Sequence, residues 1–238
     1  MICQRWKNVY RFATVYDTEK KIPVYSAYTF RTAVTTERDE TWRIEPQLED
    51  IEENKHKQEM MDSPHDEATV KKIKNQAVNS DYNDSGYSRG HLFPNIFAAD
   101  QDQADSTFTL TNTAPQLQSS NEAWAQEVEE RMLGLINHNC RFNNNHQAYI
   151  VTGVVPGNNW TPVREGQTLK KKINIPSHYW SAFCCTDKNT NQLIGKAYIA
   201  KQEPFKVQRP TIQKLNEQLY GLYNKDFNVF PDLEVKDI

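Results

Sequence analysis

One stretch of helical periodicity stands in the middle of this chain, with strand-patterned segments on both sides of it. Over residues 122–137, Trp124, Val128, Met132, Leu135 and Ile136 recur at the spacing of one helical face, and Ser120 or Asn121 can cap the start. Upstream, residues 9–16 and 21–28 read as two strands around the turn 17–20, a hairpin pattern. Downstream, 147–155, 178–185 and 192–200 read as strands, followed by a last helix over 211–222. Strands on either side of a central helix predict a single α+β domain, residues 1–238, with an antiparallel sheet flanked by helices. The pattern also predicts a short helix over 69–80, a strand over 106–112 and a turn at Pro156-Gly157.

Charge divides the chain unevenly. Residues 36–68 hold twelve acidic and four basic side chains with little periodicity, and read as an acidic, loop-rich excursion with short helical pieces. Residues 160–210 hold nine basic and three acidic ones, including the run Lys170-Lys171-Lys172. The formal net charge of -3 therefore averages an acidic segment with a basic, strand-rich half, and does not by itself exclude a polyphosphate partner.

Several function classes are disfavoured. With 8 glycines there is neither a GxGxxG nor a P-loop motif, which argues against a nucleotide-cofactor enzyme. No apolar run approaches the roughly 18–20 residues of a membrane span. The first residues carry no hydrophobic signal region. The 4 cysteines form no CxxC pair, which argues against a cysteine zinc site. Paired carboxylates of the kind a glycoside hydrolase uses are abundant only in the acidic segment and make no convincing constellation.

Chemistry concentrates between residues 86 and 131. His91 follows Arg89 and Gly90, where glycine would let the backbone bend and expose the imidazole, a group suited to take a proton from water near neutral pH. Asn121 is placed to cap a helix or to offer an oxygen to a hard cation that keeps most of its waters. Arg89 is suited to a phosphate oxygen. Each residue alone also has an ordinary structural reading: an exposed turn histidine, a helix cap, an ion-pair partner. Together, a base, a hydrated magnesium site and an arginine describe phosphodiester hydrolysis.

Order and spacing add to this. Arg89-Gly90-His91, then Thr107-Phe108-Thr109-Leu110-Thr111-Asn112-Thr113-Ala114-Pro115-Gln116, then Asn121 and Trp124 ahead of a glutamate-bearing helix, resemble the DNA/RNA non-specific endonuclease family of ββα-metal (His-Me finger) nucleases. Asn121 follows His91 by 30 residues, as the family's metal-binding asparagine follows its base. The segments Trp42–Gln47, Ile173–Pro176 and Trp180–Cys185 resemble one vertebrate branch of that family.

The resemblance implies a fold and a set of roles. His91 would be the general base and Asn121 the metal ligand, with Arg89 on phosphate and Asn112 supporting the site through hydrogen bonds. A helix glutamate would hold the metal-bound waters. The cofactor would be magnesium, with manganese or calcium able to stand in its place. The substrate would be DNA or RNA, bound through its phosphates, and the products would carry 5′-phosphates. The resembling branch is secreted, which would put the even number of cysteines into disulfides; Cys184 and Cys185, being adjacent, would each pair elsewhere.

Two departures stand out. Ser88 occupies the position of the family's usual aspartate. The helix glutamate is split between Glu129, eight residues after Asn121, and Glu127, four before Arg131; Glu129 is preferred and Glu127 second. These departures keep open a second reading, a catalytically weakened nuclease fold that serves as a secreted binding module.

Overall fold

The computed structural model describes residues 1–32, 34–37, 39–49, 59–143, 145–162 and 172–238. In chain order the elements are β1 (Ile2–Trp6), β2 (Val9–Asp17), β3 (Ile22–Phe30), β4 (Arg43–Ile44), β5 (Met61–Asp62), α1 (Glu67–Val70), β6 (Ser88–His91), α2 (Gln101–Ser106), β7 (Thr113–Gln116), α3 (Gln118–Trp124), α4 (Glu130–Asn139), β8 (Ala148–Trp160), β9 (Asn174–Thr186), β10 (Leu193–Lys201), β11 (Lys206–Gln208), α5 (Ile212–Tyr223) and β12 (Lys236–Asp237).

The main sheet runs β1-β2-β3-β8-β9-β10-β11, antiparallel throughout, with the short β12 added in parallel to β10. Each face carries its own core. On one face Phe30, Ile150, Tyr179 and Phe183 pack with Phe93, Leu110, Trp124, Val128 and Met132. On the other, Trp180, Ala182, Ala197 and Ile199 pack with Leu215 and Leu219 of α5. The central strand β9 is covered on both faces, so its buried residues run almost without alternation from Tyr179 to Cys185. The α+β class read from the sequence is the one observed.

The site sits on the first face, in a separate unit. β6 and β7 form an antiparallel pair, Ser88 opposite Gln116 and His91 opposite Thr113, and the chain turns from β7 directly into α3. β7 and the helix rest on β9 through Tyr179, whose hydroxyl donates to the carbonyls of Ala114 at 3.1 Å and Pro115 at 2.8 Å.

Several sequence expectations need correction. The helix expected over 122–137 begins at Gln118, so neither Ser120 nor Asn121 caps it; both lie inside its first turns. The segment 106–112 is the end of α2 followed by a 3-10 turn, Leu110–Asn112, and the strand comes only at Thr113–Gln116. Thr107 Oγ1 binds locally, donating to Ala104 O at 2.7 Å, and Thr109 Oγ1 reaches Arg43 O at 3.4 Å. The helix expected over 69–80 is a single turn, Glu67–Val70. The buried Glu49 carboxylate accepts from the backbone amides of Lys74 at 2.9 Å and Asn75 at 3.1 Å, holding that stretch out of a helix. Pro156 and Gly157 lie within β8, where the pairing with β9 shifts register, rather than in a turn.

The acidic excursion is not simply solvated. Ile44, Glu45, Glu49 and Met60 are buried, and β4 pairs with β5. Residues 50–58, with much of its charge, lie outside the described residues, as do Lys170 and Lys171 of the basic run; Lys172 is buried. Of the two adjacent cysteines only Cys185 pairs, with Cys140 at the end of α4, while Cys184 is a buried free thiol and Cys3 an exposed one. Adjacent residues on a strand point to opposite faces, so only one of the pair can reach α4.

Candidate active site

His91 ends β6, and what surrounds it is aromatic. Its ring centroid lies 4.9 Å from that of Phe108 and 5.5 Å from that of Trp42. The turn behind it is held by Asn112, whose side-chain oxygen accepts from Phe93 N at 3.0 Å and whose amide donates to Phe93 O and Thr107 O, each at 3.0 Å. Ser26 Oγ also donates to Asn112 Oδ1, at 2.9 Å. Asn112 is fully buried, so its work is to hold the backbone beside His91. Gly90 is required for close approach rather than for a bend: a side chain there would collide with Gln116 and the Ala114 carbonyl of the paired strand.

Arg89 is clamped. Its guanidinium lies 5.0 Å from the ring centroids of both Trp42 and Tyr82, and Nη2 donates to Asn79 O at 3.0 Å and to Asn79 Oδ1. Partial burial lowers its pKa, while Tyr82 and Glu40 act in the opposite direction. Ser88, where the family's aspartate is expected, donates its hydroxyl to Gln118 Oε1 at the start of α3. The substitution therefore fastens the hairpin to the helix.

The two candidate glutamates lie on the helix that follows β7. Between α3 and α4 the five residues Ala125–Glu129 wind as a π-helix, and Glu130 N donates to Ala125 O. Eight residues of α-helix overshoot two turns by about 80°. The wider π winding turns through less angle per residue and so reduces that excess. Glu129 lies close enough to Tyr28 to raise the pKa of its hydroxyl, and that hydroxyl lies 3.4 Å from Leu92 O, one residue past His91. Burial, with Glu130 as a lesser cause, pushes the Glu129 carboxyl up to about 8. Glu127 pairs with Arg209 at 3.5 Å, both side chains partly exposed.

Asn121 is half-buried in the first turns of the same helix, its N–H donating to Leu117 O at 2.8 Å. One amide oxygen and one carboxyl group on the same helix fit a hard cation that retains its waters. They do not fit a closed cage of protein ligands, and among the described residues no cluster of three or more His, Cys, Asp or Glu occurs. Clefts of about 920 and 360 Å³ flank α5, and neither is lined by a residue of this constellation.

Trp42, Asn79, Tyr82 and Tyr28 are not among the site residues expected from the sequence. Trp42 lies in a segment that the family resemblance covers. Nothing in the sequence marks Asn79 or Tyr82, which reach Arg89 only by folding.

A ββα unit with histidine on its hairpin and asparagine on its helix defines the ββα-metal nuclease class, and the family model for DNA/RNA non-specific endonucleases matches residues 2–234; the chain belongs to that family. It is 35% identical over 185 residues to the human endonuclease domain-containing 1 protein, covering 77% of this chain and 34% of the human one. The mouse protein of the same name is 33% identical over 195 residues, covering 82% and 36%. The chain thus spans about a third of the length of the curated relatives it matches. Its fold is similar to a solved structure described as the EndoG/EndoGI complex, with a TM-score of 0.58, 19% identity, and coverage of 93% of this chain and 84% of that one.

Proposed function

We propose that this domain is a magnesium-dependent nuclease that hydrolyses phosphodiester bonds in DNA or RNA without sequence preference. The observation that carries the reading is the single ββα unit that holds His91 and Arg89 on its hairpin and Asn121 and Glu129 on the helix that follows directly.

In this reading His91 takes a proton from a water aimed at phosphorus. That water attacks, the P–O3′ bond breaks, and the departing oxygen takes a proton from a solvent water to become a 3′-hydroxyl, so the other product carries a 5′-phosphate. Phe108 and Trp42 fix the imidazole ring, and Asn112 fixes the turn that follows it. Arg89, held by Asn79 on one edge, faces phosphate with the rest of its guanidinium. Asn121 would hold the metal directly and Glu129 its bound waters. Magnesium there, or manganese or calcium in its place, would offset the charge that builds on the phosphate in the transition state. Contacts confined to phosphates carry no base information, hence the lack of sequence preference.

The Cys140–Cys185 disulfide supports an oxidising, extracellular location. No helix among the described residues is long and apolar enough to cross a membrane. A second reading, a nuclease fold that binds nucleic acid without cleaving it, is favoured by the engagement of Arg89 with Asn79. Digestion of plasmid DNA and RNA by the purified chain decides between them. Cleavage with magnesium, none with EDTA and a large loss in His91→Ala support the enzyme. Binding without cleavage by the wild-type chain, across metals and pH, supports the second reading.

A further inference from the structure

We propose that Gln202 is a positioning residue for this site, setting the helix that carries Asn121 against the hairpin that carries Arg89 and His91. The assignment rests on the functional reading above.

Gln202 follows β10 and is almost fully buried. Its side-chain oxygen accepts from Leu117 N at 2.9 Å. Its side-chain amide donates to Pro115 O and to Pro176 O, each at 3.1 Å. Its backbone carbonyl accepts from Ser120 Oγ at 2.9 Å, and its backbone N–H donates to Ser177 O at 2.9 Å. Both amide hydrogens and the amide oxygen are thus used, and every partner lies on β9, on β7 or at the start of α3.

Those partners are the residues that set the site. Pro115 is the cross-strand partner of Arg89. Leu117 is the N-cap of α3 and has no side-chain cap of its own; Gln202, 85 residues away, accepts from the Leu117 N–H, the bond that a glutamate or glutamine at the third helical position makes in a capping box. The carbonyl of Leu117 in turn receives the N–H of Asn121. One amide therefore grips the strand opposite Arg89 with its nitrogen and the turn bearing Asn121 with its oxygen. A carboxylate in its place keeps the acceptor but sets negative charge against two carbonyl oxygens.

The test uses the intact chain with Gln202→Met and Gln202→Glu, and Leu219→Ala on the far face as a stability control. Manganese binding is read by water-proton relaxation without substrate, kcat and KM on plasmid DNA, and Tm. Outer-sphere partners of a metal site typically change affinity 10–100-fold when removed. The expected result is a manganese midpoint raised about tenfold and kcat lowered about tenfold in both Gln202 variants, with KM within about twofold. Leu219→Ala should lower Tm and leave the manganese midpoint in place. If Gln202→Met and Gln202→Glu lower Tm but bind manganese and turn over like wild type, Gln202 is merely structural and the proposal is overturned. Failure of both variants to fold would overturn it as well, since Gln202 would then serve the fold as a whole. If the wild-type chain neither binds manganese nor cleaves, the functional reading falls first and this assignment with it.

Discussion

Asn112 grips Phe93 by both of its backbone groups, accepting from its nitrogen and donating to its oxygen, each at 3.0 Å. This pair fixes the turn immediately after His91 from inside the core. Asn112→Ala would leave several buried groups without partners, at about 1–3 kcal/mol for each unsatisfied group. We expect a loss of about 3 kcal/mol in urea unfolding, and nuclease activity that falls further than the fraction of folded protein.

The two helix glutamates should behave differently. Glu129 follows Asn121 by eight residues, whereas Glu127 pairs with Arg209 where both are partly exposed. Glu129→Gln should lower kcat tenfold or more. Glu127→Gln should leave kcat within about twofold and stability within about 1 kcal/mol, since exposed pairs contribute little. Equal losses in the two variants would contradict the preference for Glu129.

Arg89 should not tolerate lysine. An ammonium cannot span Asn79 while lying flat between Trp42 and Tyr82. Arg89→Lys should lower both Tm and kcat, the latter about tenfold, and restoring positive charge should not rescue it. Thermal melts and plasmid digestion measured on one preparation test this.

Glu45 is fully buried, and burial pushes its carboxyl up to about 7, against weaker hydrogen bonds from Gln47, Thr109 and Thr111 that act to lower it. The folded chain therefore holds this proton more tightly than the unfolded one. Its stabilising contribution is fully present below the ordinary glutamate pKa of about 4.3 and is lost as pH rises through about 7. Unfolding measured from pH 5 to 8 should show wild type losing stability relative to Glu45→Gln, by an amount on the order of 3 kcal/mol at most. A difference independent of pH would remove Glu45 as the cause.

The disulfide closes a sequence separation of 45 residues between the end of α4 and β9. Replacing Cys140 and Cys185 by serine should cost about 4 kcal/mol by the chain-entropy relation. The helix end should stay docked, because Arg141 N still donates to Thr186 O and Lys188 N to Asn139 O. Tm should therefore drop while kcat at 25 °C stays near wild type.

What the sequence determined by itself was local or periodic. Alternation and helical spacing mark the hairpin at 9–28, the three long strands and the final helix, because burial on one face imposes those periods wherever the element sits. The Arg89-Gly90-His91 run and the 30-residue interval to Asn121 mark the ββα unit, because that unit is built from consecutive chain. Other features depend on partners or geometry that spacing does not carry. The threonine alternation at 106–112 makes no strand: Thr107 bonds back to Ala104 at the end of α2, and Leu110–Asn112 wind as a 3-10 turn. Spacing prefers Glu129 over Glu127 but cannot show the π turn that contains both, since such a turn changes the angle per residue without changing the count. Arg89 meets Asn79, and Leu117 meets Gln202, only through the folded chain, because a buried amide has no periodic signature. The sequence determined which side chains are available for the chemistry; the tertiary structure decided where they point, because orientation is set by long-range hydrogen bonds.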